Sequence, residues 1–304
     1  MKVAEDISQL IGDTPLVRIQ KLNPGPGLLY AKLEMFNPYS IKDRAALNIL
    51  QQAERSGQLK PGGRIVEPTS GNMGIALAFL AAVKGYEITL TMPENMSPER
   101  VKLLKALGAN IVLTPASKAM NGAIHKAQEI LAQNPGAFMP SQFENPANAQ
   151  AHSQTALEIL KDLDNRADIL VCGVGTGGTL TGTAQELKKH CPGLYTVAVE
   201  PQDSPVLSGG KPGPHKLQGI GAGFIPNILD TKLIDEIIPV TAENAGHTAR
   251  ALARSEGILA GISSGAALWA ALQVAARPQN EGKNIVVIFP DSGERYLSTW
   301  EFEE

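Results

Sequence analysis

Two stretches of this chain carry residue types that suit one chemistry. Lys42 stands in Asn37-Pro38-Tyr39-Ser40-Ile41-Lys42-Asp43-Arg44, at the mouth of a helical pattern. A primary amine in such a place can condense with an aldehyde to form an imine. Far downstream, a short aliphatic run passes into Gly173-Val174-Gly175-Thr176-Gly177-Gly178-Thr179. The backbone N–H groups of such a loop, with a helix dipole behind them, stabilise a phosphate dianion. Thr176 and Thr179 add two hydroxyl donors, which suits a terminal phosphate monoester. An imine-forming lysine and a phosphate cradle are together the minimum for holding pyridoxal 5'-phosphate (PLP).

The glycine loop also admits a different reading. Gly173-x-Gly175-x-x-Gly178 has the form of a dinucleotide fingerprint between a strand and a helix, and Glu200 falls where an NAD-binding acid belongs. A tight strand-to-helix turn is the plainest alternative, although four glycines in seven residues exceed what that turn needs. Two further loops have the same character. Pro68-Thr69-Ser70-Gly71-Asn72-Met73-Gly74 places two hydroxyls before an apolar helix, a ready site for a carboxylate, and Asn72 could donate to a phenolate oxygen. Gly261-Ile262-Ser263-Ser264-Gly265-Ala266 opens another apolar helix. Either loop, taken alone, also reads as an ordinary helix cap.

The elements that must position these loops alternate along the chain. Strands are expected at 64–67, 87–91, 110–113, 168–173, 195–200 and 284–289, each a short run rich in Val, Ile and Leu. Helices are expected at 43–56, 73–84, 119–133, 179–190 and 266–276, and Ser97-Pro98-Glu99 opens another with a cap and a first-turn proline. This rhythm predicts an α/β fold of two open, mostly parallel domains, with the active site in the cleft between them. Loop-like residues at 134–148 mark a boundary: 1–145 as an N-terminal α/β domain and 146–304 as a C-terminal, phosphate-binding one. An early segment, about 13–35, is expected to pair with the other domain.

Composition narrows the function classes. With 43% hydrophobic and 19% charged residues over 304 positions, a sizeable core can be buried. A net charge of −3 gives no electrostatic reason to expect nucleic acid or an anionic membrane as partner. Residues 75–83 are apolar but too few to span a bilayer. Cys172 and Cys191 show no metal spacing and make no disulfide framework, and the five histidines form no ligand pattern. A cytoplasmic protein without a metal site is expected. Trp269 sits at core spacing on its helix and reads as packing.

Together these loops resemble the cysteine synthase (O-acetylserine sulfhydrylase) family of fold-type II PLP enzymes, whose fold is tryptophan-synthase-β-like. The resemblance spans nearly the whole chain. It runs from Ile11-Gly12-Asp13-Thr14-Pro15-Leu16-Val17 through Ser40-Ile41-Lys42-Asp43-Arg44, the Asn72 loop and Gln142-Phe143-Glu144-Asn145-Pro146-Ala147-Asn148. It continues through the glycine loop, His215-Lys216-Leu217-Gln218-Gly219-Ile220-Gly221-Ala222-Gly223-Phe224 and the Ser263 loop to Pro290-Asp291-Ser292-Gly293-Glu294. The resemblance implies that Lys42 is the Schiff-base lysine and base for the α-proton, and that Asn72 bonds the PLP ring hydroxyl. It implies Gly175, Thr176, Gly177 and Thr179 at the phosphate and Ser263 at the pyridine nitrogen. It puts Thr69, Ser70, Met73 and Gln142 around the substrate carboxylate, with Gly219 in a loop near the amino acid. Met73 stands where the family usually has threonine, and a thioether donates no hydrogen bond.

The implied reaction is β-replacement: O-acetyl-L-serine loses acetate, an aminoacrylate remains, and sulfide adds to give L-cysteine. Serine or O-phosphoserine as donor, or a larger thiol as in cystathionine β-synthase, are the related alternatives. A catalytically weak regulator-binding protein is a third. A homodimer, and binding of the C-terminal tail of serine acetyltransferase, are further family expectations.

Overall fold

The computed structural model describes residues 3–69 and 71–300. The chain divides into two compact units. One comprises the residues up to Ile11 with Lys42–Asn148, and the other comprises Gly12–Ile41 with the residues from Ala149 on. The early segment 12–41 therefore belongs to the same unit as the C-terminal half.

Along the chain, β1 (Leu16–Arg18) and β2 (Leu28–Leu33) come first, followed by α1 (Lys42–Arg55), β3 (Arg64–Pro68), α2 (Asn72–Lys84) and β4 (Glu87–Pro93). Next are α3 (Pro98–Ala106), β5 (Asn110–Thr114), α4 (Ala119–Gln133) and the short α5 (Ala147–Gln150). The second unit continues with α6 (His152–Asp162), β6 (Ile169–Gly173), α7 (Gly178–His190), β7 (Tyr195–Pro201) and β8 (Glu236–Val240), then α8 (Ala242–Glu256), α9 (Ile262–Ala275) and β9 (Asn284–Phe289).

In the first unit β3, β4 and β5 form a parallel three-stranded sheet in that order. The outer edge of β3 is not bare. Phe138 pairs with it in parallel, its N–H donating to the Arg64 carbonyl at 2.8 Å and its carbonyl accepting from Val66 at 2.9 Å. The chain thus runs from β3 outward to β5, then returns to the opposite side of β3. Ligands in open α/β sheets bind beyond the carboxyl end of the strand where the order reverses, and here that strand is β3.

The second unit repeats the device on a larger sheet, ordered β1-β2-β9-β6-β7-β8. Among the described strands of this sheet, only the β1–β2 pair is antiparallel. From β6 the chain moves to β7 and β8, then crosses back to place β9 on the other flank of β6. The reversal falls between β6 and β9. Every residue of β9 is buried, and its unbroken apolar run Ile285–Phe289 shows no alternation because helices cover both faces of a parallel sheet.

The expected strands and the α/β class agree with this architecture. β1, β2 and β8 were not among the expected strands. β1 has three residues, and β8 carries Pro239, tolerated because this edge strand pairs only with β7. Among the described residues, no helix is long and apolar enough to cross a membrane. Trp269 packs, partly buried, against the core of the second unit.

Candidate active site

Among the described residues, the first unit carries five of the proposed ones in three stretches. Lys42 is the first residue of α1 and is partly buried, while the next two positions, Asp43 and Arg44, are 0% and 4% exposed. The amine is therefore carried on a helical turn anchored in protein. Thr69 and Asn72 lie at the carboxyl end of β3, the reversal point of that sheet. The Thr69 N–H donates to the Thr91 carbonyl at 3.1 Å, which extends the ladder between β3 and β4. The Thr69 hydroxyl accepts from the Gly71 N–H at 3.3 Å and so shapes the turn into α2. Asn72 opens α2 and is partly buried, whereas Met73 is 2% exposed and packs inward. Gln142, on the loop that follows Phe138, is also buried. Ser70 lies outside the described residues.

A carboxylate that sequence reasoning did not single out underlies this group. Glu67, on β3, is 1% exposed and accepts from the backbone N–H groups of Ser141 (3.0 Å) and Gln142 (3.3 Å). Burial pushes its carboxyl up to about 7, opposed by those two hydrogen bonds.

The second unit brings together the glycine loop, Gly219 and Ser263. The loop leaves β6 beside the β6–β9 reversal. A Cβ on Gly175 would lie 2.3 Å from the Gly219 carbonyl oxygen, so only glycine fits. Gly177 caps α7 with φ +84, a left-handed conformation natural to glycine, and no side chain caps the helix. The N-cap thus supplies no side chain to the N–H groups of the first turn, which suits that helix end to an anion. Thr176 is 4% exposed and its hydroxyl accepts weakly from the Gly178 N–H at 3.4 Å. Thr179 Oγ1 lies 3.2 Å from Nε2 of His152, a buried ring whose Nδ1 is 3.2 Å from Thr155 Oγ1. His152 has no local motif: it lies 27 positions from Thr179 and meets it only through packing of α6 on α7.

Gly219 has φ +90, and a Cβ there would stand 3.8 Å from Ser263 Oγ. Ser263 is the second residue of α9, whose N-cap Gly261 supplies no side-chain cap. Asp291, just beyond β9, braces that turn: its carbonyl accepts from the Gly261 N–H at 3.0 Å, and its carboxylate accepts from the Tyr296 hydroxyl at 2.6 Å. The chain thus collects an uncapped 13-residue helix, a glycine cradle and buried hydroxyls around one loop. This donor set fits a phosphate monoester.

The dinucleotide alternative loses its key residue. The carboxylate of Glu200 is 2% exposed and already accepts from the Leu207 N–H (2.8 Å), the Ser208 N–H (3.0 Å) and the Ser208 hydroxyl (2.5 Å). It closes its own turn and has no reach toward a ribose.

Residues 7–291 match the family described as pyridoxal-phosphate dependent enzyme. The chain belongs to that family. It is a PLP-dependent enzyme, and the glycine loop is suited to the phosphate such a cofactor brings. Cysteine synthase A of Escherichia coli (strain K12) is 56% identical over 309 residues, covering 98% of this chain and 95% of that protein. Among solved structures, a cysteine synthase (OASS) from Entamoeba histolytica superposes with a TM-score of 0.96 at 47% identity, covering 99% of this chain and 91% of that one. An O-acetylserine dependent cystathionine beta-synthase from Helicobacter pylori gives 0.92 at 38% identity, with both chains fully covered.

Proposed function

We propose that this protein is a cysteine synthase, which replaces the acetoxy group of O-acetyl-L-serine with sulfide and releases L-cysteine and acetate. The observation that carries the reading is the match of essentially the whole chain to cysteine synthase A at 56% identity. PLP, when bound, supplies the electron sink that makes the bond between the β-carbon and its leaving group labile.

The residues of the chain do the rest. Lys42 would hold the cofactor, and its amine would take the α-proton of the substrate. Asn72 would donate to the ring hydroxyl oxygen. Gly175, Thr176, Gly177 and Thr179 would bind the phosphate, and Ser263 would face the pyridine nitrogen. A serine hydroxyl there would not hold a ring proton as an aspartate would. Thr69, Ser70, Gln142 and the Met73 backbone N–H bind the substrate carboxylate, with Gly219 alongside the amino acid.

The test is the visible absorption of the purified protein loaded with PLP. A band that shifts on addition of O-acetylserine and returns on addition of sulfide, with cysteine formed, is the expected result. A band indifferent to O-acetylserine but responsive to serine or O-phosphoserine overturns the donor. The Helicobacter pylori neighbour favours one second reading, with the same donor and a larger thiol as nucleophile. Faster product formation from such a thiol than from sulfide would select it.

We also propose that the protein works as a homodimer in the cytoplasm, where the free Cys172 and Cys191 suit a reducing compartment. Light scattering checks the mass. Titration with the C-terminal peptide of serine acetyltransferase checks whether this chain takes that partner.

A further inference from the structure

Glu67 is a buried carboxylate that meets no cation among the described residues. Burying such a group is costly unless it meets donors. Its donors are both backbone N–H groups of one loop. Parallel pairing of that segment with β3 ends at Phe138, and Pro140 has no N–H to continue it. The Glu67 oxygens take over where the ladder stops, Oε2 receiving Ser141 and Oε1 receiving Gln142. Ser141 is held at φ +53, a left-handed conformation that a non-glycine residue adopts only when its surroundings impose it. Its carbonyl accepts from the N–H groups of Glu144 (2.9 Å) and Asn145 (3.0 Å). The Gln142 carbonyl accepts from the Asn148 side chain at 2.8 Å. The Gln142 backbone is thus gripped at both ends, its N–H by Glu67 and its C=O by Asn148.

We propose that Glu67 is a positioning residue for substrate recognition: its carboxylate fixes the Ser141–Gln142 peptide and thereby aims the Gln142 side chain at the amino-acid carboxylate. The inference rests on the reading of Gln142 as a carboxylate-binding residue for O-acetylserine. Glu67→Gln is nearly isosteric, but an amide accepts through only one of its two end atoms and presents an N–H to the other backbone donor. A role confined to stability would leave the KM for O-acetylserine unchanged in protein that folds.

Wild type, Glu67→Gln, Gln142→Ala and the double variant are assayed with O-acetylserine and sulfide at about pH 8, where the carboxylate is ionised. The expected result is a rise of about tenfold in the KM for O-acetylserine in Glu67→Gln, with kcat within about threefold, and less than about twofold further effect in the Gln142→Ala background. Amide hydrogen exchange of substrate-free protein should show Ser141 and Gln142 exchanging at least about tenfold faster in Glu67→Gln. KM effects that simply multiply in the double variant overturn the proposal. So does a fall in kcat at unchanged KM, or unchanged exchange at the two amides. If Glu67→Gln does not fold, Glu67→Asp takes its place under the same criteria, since it keeps the charge and shortens the reach. A wild-type protein that does not turn over O-acetylserine sinks the functional reading and the substrate role with it. The exchange arm still reports separately whether Glu67 holds the peptide.

Discussion

Lys42 and Glu67 both sit where backbone is anchored in protein, and each has a consequence that can be measured. Lys42 opens a helix whose next residues are buried, so its amine is presented from a fixed turn. Lys42→Ala is expected to lower kcat by roughly 10²–10⁴-fold or more, because it removes both the proposed cofactor anchor and the proposed base. Borohydride treatment followed by peptide mass analysis should label Lys42 with the cofactor in wild type and no lysine in the variant. Glu67 has a thermodynamic signature of its own. The ordinary carboxyl value is 4.5 and burial raises this one to about 7. Between those values the folded protein keeps a proton that the unfolded chain has released. The stability owed to this group is therefore present at low pH and lost as pH rises through that window. Urea unfolding at about pH 5 and about pH 8 should show wild type losing more stability than Glu67→Gln across the interval, by on the order of a few kcal/mol.

Helix starts divide by what caps them. α3 and α8 open on Ser97 and Thr241, whose hydroxyls accept from Arg100 and Asn244 N–H groups within the first turn. α2, α7 and α9 open on Gly71, Gly177 and Gly261 with no side-chain cap. A capping hydroxyl satisfies the orphan N–H groups that would otherwise bind an anion, so its absence leaves the helix end available. All three glycine-capped helices follow the loops that the proposed reaction uses. Replacing Gly175 with alanine should drive the new methyl against the Gly219 carbonyl oxygen, 2.3 Å away, and open the cradle. An expected loss of at least about tenfold in PLP affinity, read by absorbance titration, would accompany a destabilisation of about 1–3 kcal/mol.

At the scale of the molecule, the segment 12–41 is structural rather than peripheral. β2 pairs along its whole length with β9, from Leu28 opposite Asn284 to Leu33 opposite Phe289. Lys32 on β2 is fully buried and forms an ion pair of 2.8 Å with Glu158 on α6, and Glu158 also accepts from the Asp13 N–H. Lys32→Met would remove this buried ion pair and the Lys32 hydrogen bond to the Thr14 carbonyl, and should cost about 3–5 kcal/mol, measurable as a lower urea midpoint. A fragment beginning at Ala149 would expose the apolar edge of β9. It is expected to aggregate and to show no cooperative melt, whereas co-expression with residues 12–41 should restore one.

Periodicity and punctuation made much of this protein legible from its residues. The buried parallel strands announce themselves as aliphatic runs because helices cover both their faces. Ser97-Pro98 and Gly85 mark helix ends by local backbone chemistry, and Gly85 indeed closes α2 in the left-handed region. The glycine loop, the Asn72 loop and the Ser263 loop were also visible, because cradling an anion needs particular residue types in consecutive positions. Other features depended on partners distant in sequence. Nothing local to Glu67 foretells that it meets Ser141, nor to His152 that it meets Thr179. Glu200 matched a dinucleotide pattern until the turn at Leu207 and Ser208 claimed its carboxylate. An early segment of about 13–35 was expected to join the other domain, but its strand partners, and the strand-order reversals beside the candidate site loops at β3 and β6, follow from which strands pair. Pairing is decided by burial of whole faces and closure of long loops, energies that no short window of sequence contains.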